Sequence, residues 1–139
     1  MPLPNEVVAE LGALITVGAE LADVTPDATP LEIATSVDTL VRRAHREERK
    51  LTENEIAGLA VLWGKAVSQA GGWTWALIVR DDVKVVSLVS TNHAHACHPL
   101  AYMKAQADPG RETTAHLVFN LIRTGALPES KSDALEIVG

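Results

Sequence analysis

Hydrophobic residues recur at helical spacing near the start of the chain. Between residues 5 and 22 the apolar positions lie three or four apart, whereas Glu6, Glu10 and Glu20 lie off the apolar stripe. This pattern predicts an amphipathic helix, although two glycines within it lower the helical propensity. The stripe predicted to be buried consists of Val7, Val8, Leu11, Leu14, Ile15, Gly18 and Leu21.

Capping signals mark the starts of two further helices. Thr29 can cap a helix that has a proline in its first turn, and Glu32 can complete a capping box. Thr52 and Glu55 form the same pattern before a third helix. The third helix is apolar around most of its circumference and is stopped by Gly71–Gly72, so we expect it to be the central helix.

The apolar period changes from helical to alternating after residue 72. Every second residue from 73 to 79 is a large hydrophobe, and a second run, rich in β-branched residues, spans 83–90. Asp81–Asp82 between the two runs predicts a β-hairpin with a two-residue turn. Its face carrying Trp73 and Trp75 is expected to meet Trp63 of the third helix in the core. The predicted cross-strand pairs are Leu77 with Val86, Trp75 with Leu88, and Ile78 with Val85.

The remaining predicted elements are shorter. Residues 93–98 are expected to form a third strand, and Pro99 to open a short helix with Leu100 and Met103 facing inward. For residues 134–138 the pattern leaves two alternatives open, docking against the fold or remaining loose. A last helix is predicted to end at Gly125 and to carry Leu117, Val118, Leu121 and Ile122.

Length and composition agree with one folded domain. The chain has 139 residues, of which 47% are hydrophobic and 22% charged, far from the composition of disordered chains. We therefore expect an α+β fold in which N-terminal helices pack on a small antiparallel β-meander followed by C-terminal helices. Residues 1–139 are expected to form this single domain.

Cysteine content and hydropathy bear on location. The one cysteine cannot form an internal disulfide, and the N-terminus lacks the cationic region and long apolar core of a signal peptide. No apolar run approaches the roughly 20 residues that span a bilayer. These features predict a cytoplasmic protein with no membrane role.

The acidity of the chain is concentrated in its first third. The net charge is −6, and residues 1–41 contain no Lys or Arg. An acidic surface repels nucleic acid and attracts basic partners, so Glu6, Glu10 and Glu20 are the predicted partner-binding residues. The alternative is that the acids only keep a helical face soluble. The acids of this segment are Glu6, Glu10, Glu20, Asp23, Asp27, Glu32 and Asp38.

A cationic run at the end of the second helix does not change this picture. Most of the charged residues between 42 and 50 are Arg or Lys. However, Glu47 and Glu48 interrupt the run, and it contains no aromatic residues. Cations are also favoured at the negative end of a helix dipole. The run therefore predicts a solvated helix end, and no nucleic-acid partner is expected.

One block of the chain resembles a known group of proteins. It runs from Trp73-Thr-Trp-Ala-Leu-Ile-Val through Asp81-Asp82 and Val85-Val86-Ser-Leu-Val89 to His98-Pro99-Leu100 and Tyr102-Met103-Lys104. This block resembles small bacterial domains of unknown function that have a helical front end, a Trp-bearing meander and a helix. The resemblance covers about residues 50–107. It implies a bacterial α+β domain and carries over no activity and no catalytic residue.

The candidate chemistry lies in a histidine cluster formed by His93, His95, Cys97 and His98. On a strand, His93, His95 and Cys97 would share one face, with neighbours about 6.6 Å apart along the chain. His93 and His95 could then chelate one metal ion, but Cys97, about 13 Å from His93, could not join them. A third ligand such as His116 is unsupported. The alternative is a partly exposed strand face without chemistry, and a pH-sensitive partner interface is a further possibility.

Two functions of different classes follow. The absence of a complete catalytic constellation and the acidic first third favour a non-catalytic interaction protein, for instance a bacterial immunity or inhibitor protein that binds a basic protein. The alternative is a small metal-assisted hydrolase that uses His93 and His95. No catalytic residue and no cofactor are predicted, and the chain is expected to be a monomer or a small homo-oligomer.

We predict that the purified protein carries no stoichiometric zinc, because His93 and His95 supply at most two ligands. Elemental analysis of tag-free protein measures this directly. About one zinc per chain, lost in a His95→Ala variant, would contradict the prediction and favour the hydrolase.

Overall fold

The computed structural model has the α+β architecture predicted above. It describes residues 3–25, 27–91, 95–108, 115–124 and 136–138, without the side chains of residues 80, 115–117 and 136–138. N-terminal helices are followed by a sheet whose first three strands are antiparallel, and then by C-terminal helices. The helices are α1 (Asn5–Ala22), α2 (Pro30–Arg46), α3 (Glu53–Gly71), α4 (Pro99–Gln106) and α5 (Ala115–Thr124). The strands are β1 (Thr74–Arg80), β2 (Val83–Val89), β3 (His95–Cys97) and β4 (Glu136–Val138).

The starts of α2 and α3 follow from their caps. The backbone N–H of Glu32 donates to Thr29 Oγ1 at 3.2 Å, which is one half of the predicted capping box. At α3 the box is complete, because Glu55 N–H donates to Thr52 Oγ1 (3.1 Å) and Thr52 N–H donates to Glu55 Oε1 (2.9 Å). Gly72, at φ 70°, then ends α3 in the left-handed conformation.

Helix α3 is the central element, as its apolar circumference predicts. It contacts α1, α2, α4 and α5. Trp63 is fully buried in this helix, and its ring lies 4.8 Å from that of Tyr102 on α4, tilted by 33°. The core therefore forms around α3 on one face of the sheet.

The hairpin has the predicted register. Trp75 pairs with Leu88, Leu77 with Val86, and Ile78 with Val85. Asp81 and Asp82 have φ values of 52° and 62°, and positive φ at both central residues is the signature of the type I′ turn that suits a two-residue hairpin. Aspartate adopts the left-handed region more readily than most residues, which explains why this turn forms without glycine.

Two expectations about side-chain exposure are corrected. Val8 and Leu100, predicted to face inward, are 54% and 46% exposed, whereas Met103 is buried as predicted. The reason is that neither α1 nor α4 is covered on the side where these residues lie.

Residues 136–138, left open by the sequence, form β4, which pairs parallel to β3. Phe119, which the sequence pattern did not single out, is fully buried in α5.

Glycines set how closely the layers approach. A Cβ atom at Gly18 of α1 would overlap the carbonyl of Gly58 on α3, so the two backbones touch at this point. A Cβ at Gly64 would lie 2.5 Å from Cη2 of Trp75, so the indole ring packs closely against α3 from the sheet. Of the two glycines that weaken the helical propensity of α1, Gly18 is thus required by packing, whereas Gly12 is not.

We expect Gly18→Ala to lower the free energy of unfolding by about 1–3 kcal/mol, because the added methyl group would force α1 away from Gly58. Gly12→Ala is the matched control on the same helix. Nothing lies within 4 Å of its added Cβ, so it should stabilise the protein by about 0.5–1 kcal/mol. Urea denaturation measures both values, and equal effects of the two changes would contradict the close approach of α1 to α3.

Thr52→Ala should cost about 1 kcal/mol, because it removes the side-chain acceptor of the α3 capping box. Trp63→Ala should cost about 3–5 kcal/mol, because it leaves a large cavity in the core. Chemical denaturation of both variants measures this difference. Small and equal effects would show that neither the cap nor the buried ring contributes as assigned.

Candidate functional site

The three members of the histidine cluster that the structure describes are buried. His95 and His98 are each 7% exposed and Cys97 is fully buried, so the expectation of a partly exposed strand face is wrong for these residues. The reason is that β3 is an inner strand, flanked by β2 on one side and β4 on the other. His93 lies outside the described residues.

The cluster is divided between the two faces of the sheet. Cys97 pairs with Leu88 on the face that packs against α3, and His95 shares that face. Ser87 lies on the opposite face, where its Oγ is 2.6 Å from His98 Nδ1 in a buried hydrogen bond. His95 and His98 are therefore not brought together into one site.

Two hydrogen bonds join Ser90, which follows β2, to His95, the first residue of β3. The N–H of His95 donates to Ser90 Oγ at 3.0 Å, and the N–H of Ser90 donates to the carbonyl oxygen of His95 at 2.9 Å. The backbone N–H and the carbonyl oxygen of His95 are thus both hydrogen-bonded inside the protein. This arrangement assigns a structural role to Ser90, which the sequence analysis did not single out.

Burial also determines the chemistry of Cys97. Loss of solvation raises the pKa of its thiol to about 12. The thiol is therefore protonated at neutral pH, and a protonated thiol is a poor nucleophile and a poor metal ligand. A Cys97-based catalytic step is disfavoured on this ground.

A metal centre finds little support in the described part of the chain. There, no group of three His, Cys, Asp or Glu side chains is arranged to hold a metal ion. Because His93 and the side chain of His116 lie outside that part, the His93–His95 chelate stays an untested alternative to the prediction of no metal site. No side-chain geometry in the described residues therefore supports metal binding by the cluster.

A surface groove is the more promising feature. It has a volume of about 180 Å³ and lies between the N-terminal half of α1, the start of α3, one face of the hairpin and the start of α4. Its walls are apolar except for Glu10. The lining residues are Val7, Glu10, Leu11, Leu14, Ala57, Ala60, Val61, Trp75, Val86, Pro99 and Leu100.

The groove exists because the apolar stripe of α1 is incompletely covered. Val7, Leu11 and Leu14 are only half-buried, although their spacing predicts a core-facing stripe. Leu100 completes the opposite wall with a side chain that is 46% exposed. Of the two incorrect predictions about exposure, the one at Leu100 therefore concerns the groove, whereas Val8 does not line it.

The three predicted partner-binding glutamates are all exposed, but they are not equivalent. Glu10 lines the groove, and Glu6 lies one helical turn before it. Glu20 lies ten residues further on, which is about 15 Å along the helix axis. No ion pair involves Glu6 or Glu10 within the described ranges. By contrast, Asp38 of the same acidic segment is bound to Arg42 Nε at 2.7 Å.

A second concavity of about 350 Å³ lies between the α2–α3 connection and the end of α4. It contains both signs of charge, with Lys50 and Lys104 against Glu48 and Asp108. A nearby cation, Arg49, already forms an ion pair with Glu55. Mixed charges give this concavity no clear preference for an anionic or cationic ligand.

Comparison with known proteins provides no relative from which a function could be transferred. No protein-family model matches the chain, and neither a curated protein nor a solved structure is detectably similar to it. The resemblance to small bacterial domains therefore stays a prediction. Among the described helices, none is long and apolar enough to cross a membrane.

Proposed function

We propose that the protein is a non-catalytic interaction protein that binds a basic protein partner through the acidic surface of α1. The observation that carries this proposal is the exposure of Glu6, Glu10 and Glu20 on a helix without any Lys or Arg. A bacterial immunity or inhibitor protein is one form that this function would take. Capture of a basic partner requires no catalytic group.

The electrostatic argument is one of long-range attraction. Like charges without compensating cations on the same helix produce a negative potential over its surface, which accelerates the approach of a basic protein. Such steering acts mainly on the association rate and is weakened by salt. The first cation in the sequence, Arg42, is bound to Asp38 and so neutralises an acid outside α1.

The hydrolase alternative has no specific observation in its favour. It would use His95, which is buried in an inner strand, and it would need a partner ligand in addition to His93. The buried Ser87–His98 hydrogen bond resembles a nucleophile and its base, but neither residue lines the groove or the second concavity. Burial of both side chains disfavours access of a substrate to them.

A charge-reversal experiment tests the proposal. A partner is first captured from a lysate of the native organism with the wild-type protein and purified, and its association rate is then measured by stopped flow at low and high salt. The triple change Glu6→Lys, Glu10→Lys and Glu20→Lys should slow association by about tenfold or more at low salt and much less at high salt.

A charge-neutral variant provides the control for this experiment. Ala13→Gln changes an exposed position of the same helix without altering its charge, so its association rate should equal that of the wild type. An unchanged association rate in the triple variant would mean that the acids of α1 only solubilise its surface. The proposed mode of binding would then be wrong.

A further inference from the structure

We infer that the groove beside α1 is the docking site for an amphipathic helix of the partner, which inserts one large apolar side chain and places a Lys or Arg near Glu10 and Glu6. This inference rests on the proposed function and assigns it a location and a chemistry. The observations that carry it are the apolar lining, the volume and the acidic border of the groove.

The groove can take one large apolar side chain. Its volume of about 180 Å³ is slightly larger than an apolar protein cavity of about 150 Å³ that binds benzene. Trp75 and Val86 of the sheet, together with Leu11 of α1, offer apolar contacts to such a side chain. A single deeply inserted aromatic or aliphatic residue is the usual anchor of a protein interface.

The elements around the groove favour a helix over an extended peptide. Its walls are formed by side chains of helices and of one face of the sheet. An extended peptide needs a free strand edge to satisfy its backbone, whereas a helix brings its hydrogen bonds with it. The α1 wall from Val7 to Leu14 contains eight residues and is about 10 Å long, which matches two turns of a docked helix.

The charge at the border selects a cationic helix. Glu10 lines the groove, and Glu6 lies one turn away on the same helix. A Lys or Arg near the inserted apolar residue would reach these carboxylates at the edge of the interface. An acidic helix with the same apolar face would be repelled from the same position.

Synthetic peptides of about 18 residues, five helical turns, test this inference without the natural partner. One carries a Leu and Phe face with Lys opposite, the second has Glu in place of every Lys, and the third is a scramble of the first that destroys the apolar face. Binding of fluorescein-labelled peptides is measured by anisotropy. The first peptide should bind saturably, and the other two at least about tenfold more weakly.

Two leucines with nearly equal exposure give a matched pair of variants. Leu100 lines the groove and is 46% exposed, whereas Leu31 lies outside it on α2 and is 44% exposed. Leu100→Ser should weaken binding of the Lys peptide by about five- to tenfold, and Leu31→Ser should leave it unchanged. Because each side chain is nearly half exposed, neither change is expected to unfold the protein.

A second variant tests the groove by filling it. Ala57 is half-buried in the lining, and Ala57→Leu occupies the groove without changing any charge. Ala57→Leu should weaken binding of the Lys peptide by tenfold or more. Ala13→Leu, on an exposed part of α1, should leave binding unchanged. Circular dichroism confirms that each variant is folded before binding is measured.

Distinct results overturn this inference and the proposed function. Absence of saturable binding by the Lys peptide, equal binding of the Glu peptide, or equal effects of Leu100→Ser and Leu31→Ser would show that the groove is not the docking site. The association rate of the natural partner could still depend on the charges of α1, which Leu100→Ser and Ala57→Leu leave intact. Loss of that dependence would instead overturn the proposed function.

Discussion

The backbone contact between α1 and α3 is the constraint on which the surface of this protein depends. Gly18 and Gly58 approach so closely that neither position tolerates a side chain without displacement of a helix. The contact fixes α1 along α3, and the half-buried residues between Val7 and Leu14 are thereby held beside the sheet. The groove is a consequence of this arrangement, because α1 covers one side of α3 and leaves its own apolar stripe incompletely covered.

Local signals in the sequence predicted most of the elements. The Thr52–Glu55 capping box and the alternation of large hydrophobes from residue 73 depend on neighbours close in sequence, and both are confirmed. The Asp81–Asp82 turn set the hairpin register for the same reason. Local signals of this kind can therefore be interpreted from the sequence without knowledge of the tertiary structure.

The errors arose where the answer depends on distant parts of the chain. Alternation along β3 does not reveal that strands flank it on both sides, and so the burial of His95 and His98 was missed. Helical periodicity shows which face of α1 is apolar, but whether another element covers that face is decided by packing. The periodicity of α1 therefore could not predict the groove. Glu10 on its border was singled out by its charge alone.

The cluster and the groove illustrate different relations between composition and function. Residues with rich chemistry, such as Cys97 and His98, are buried, and burial raises the pKa of the Cys97 thiol to about 12. Residues with little chemistry, such as the half-buried Leu11 and the exposed Leu100, line a groove that a partner can reach. An uncovered apolar surface with an acidic border is a stronger indication of binding than an unusual residue inside the core.

The indole N–H signals of the three tryptophans provide the most direct test of the claim that the groove is a binding surface. Trp75 lines the groove, whereas Trp63 and Trp73 are buried in the core. In a ¹⁵N–¹H NMR titration with a cationic amphipathic helix, the account predicts that the Trp75 signal shifts with added peptide while the Trp63 signal stays in place. Binding that leaves the Trp75 signal unshifted would contradict it.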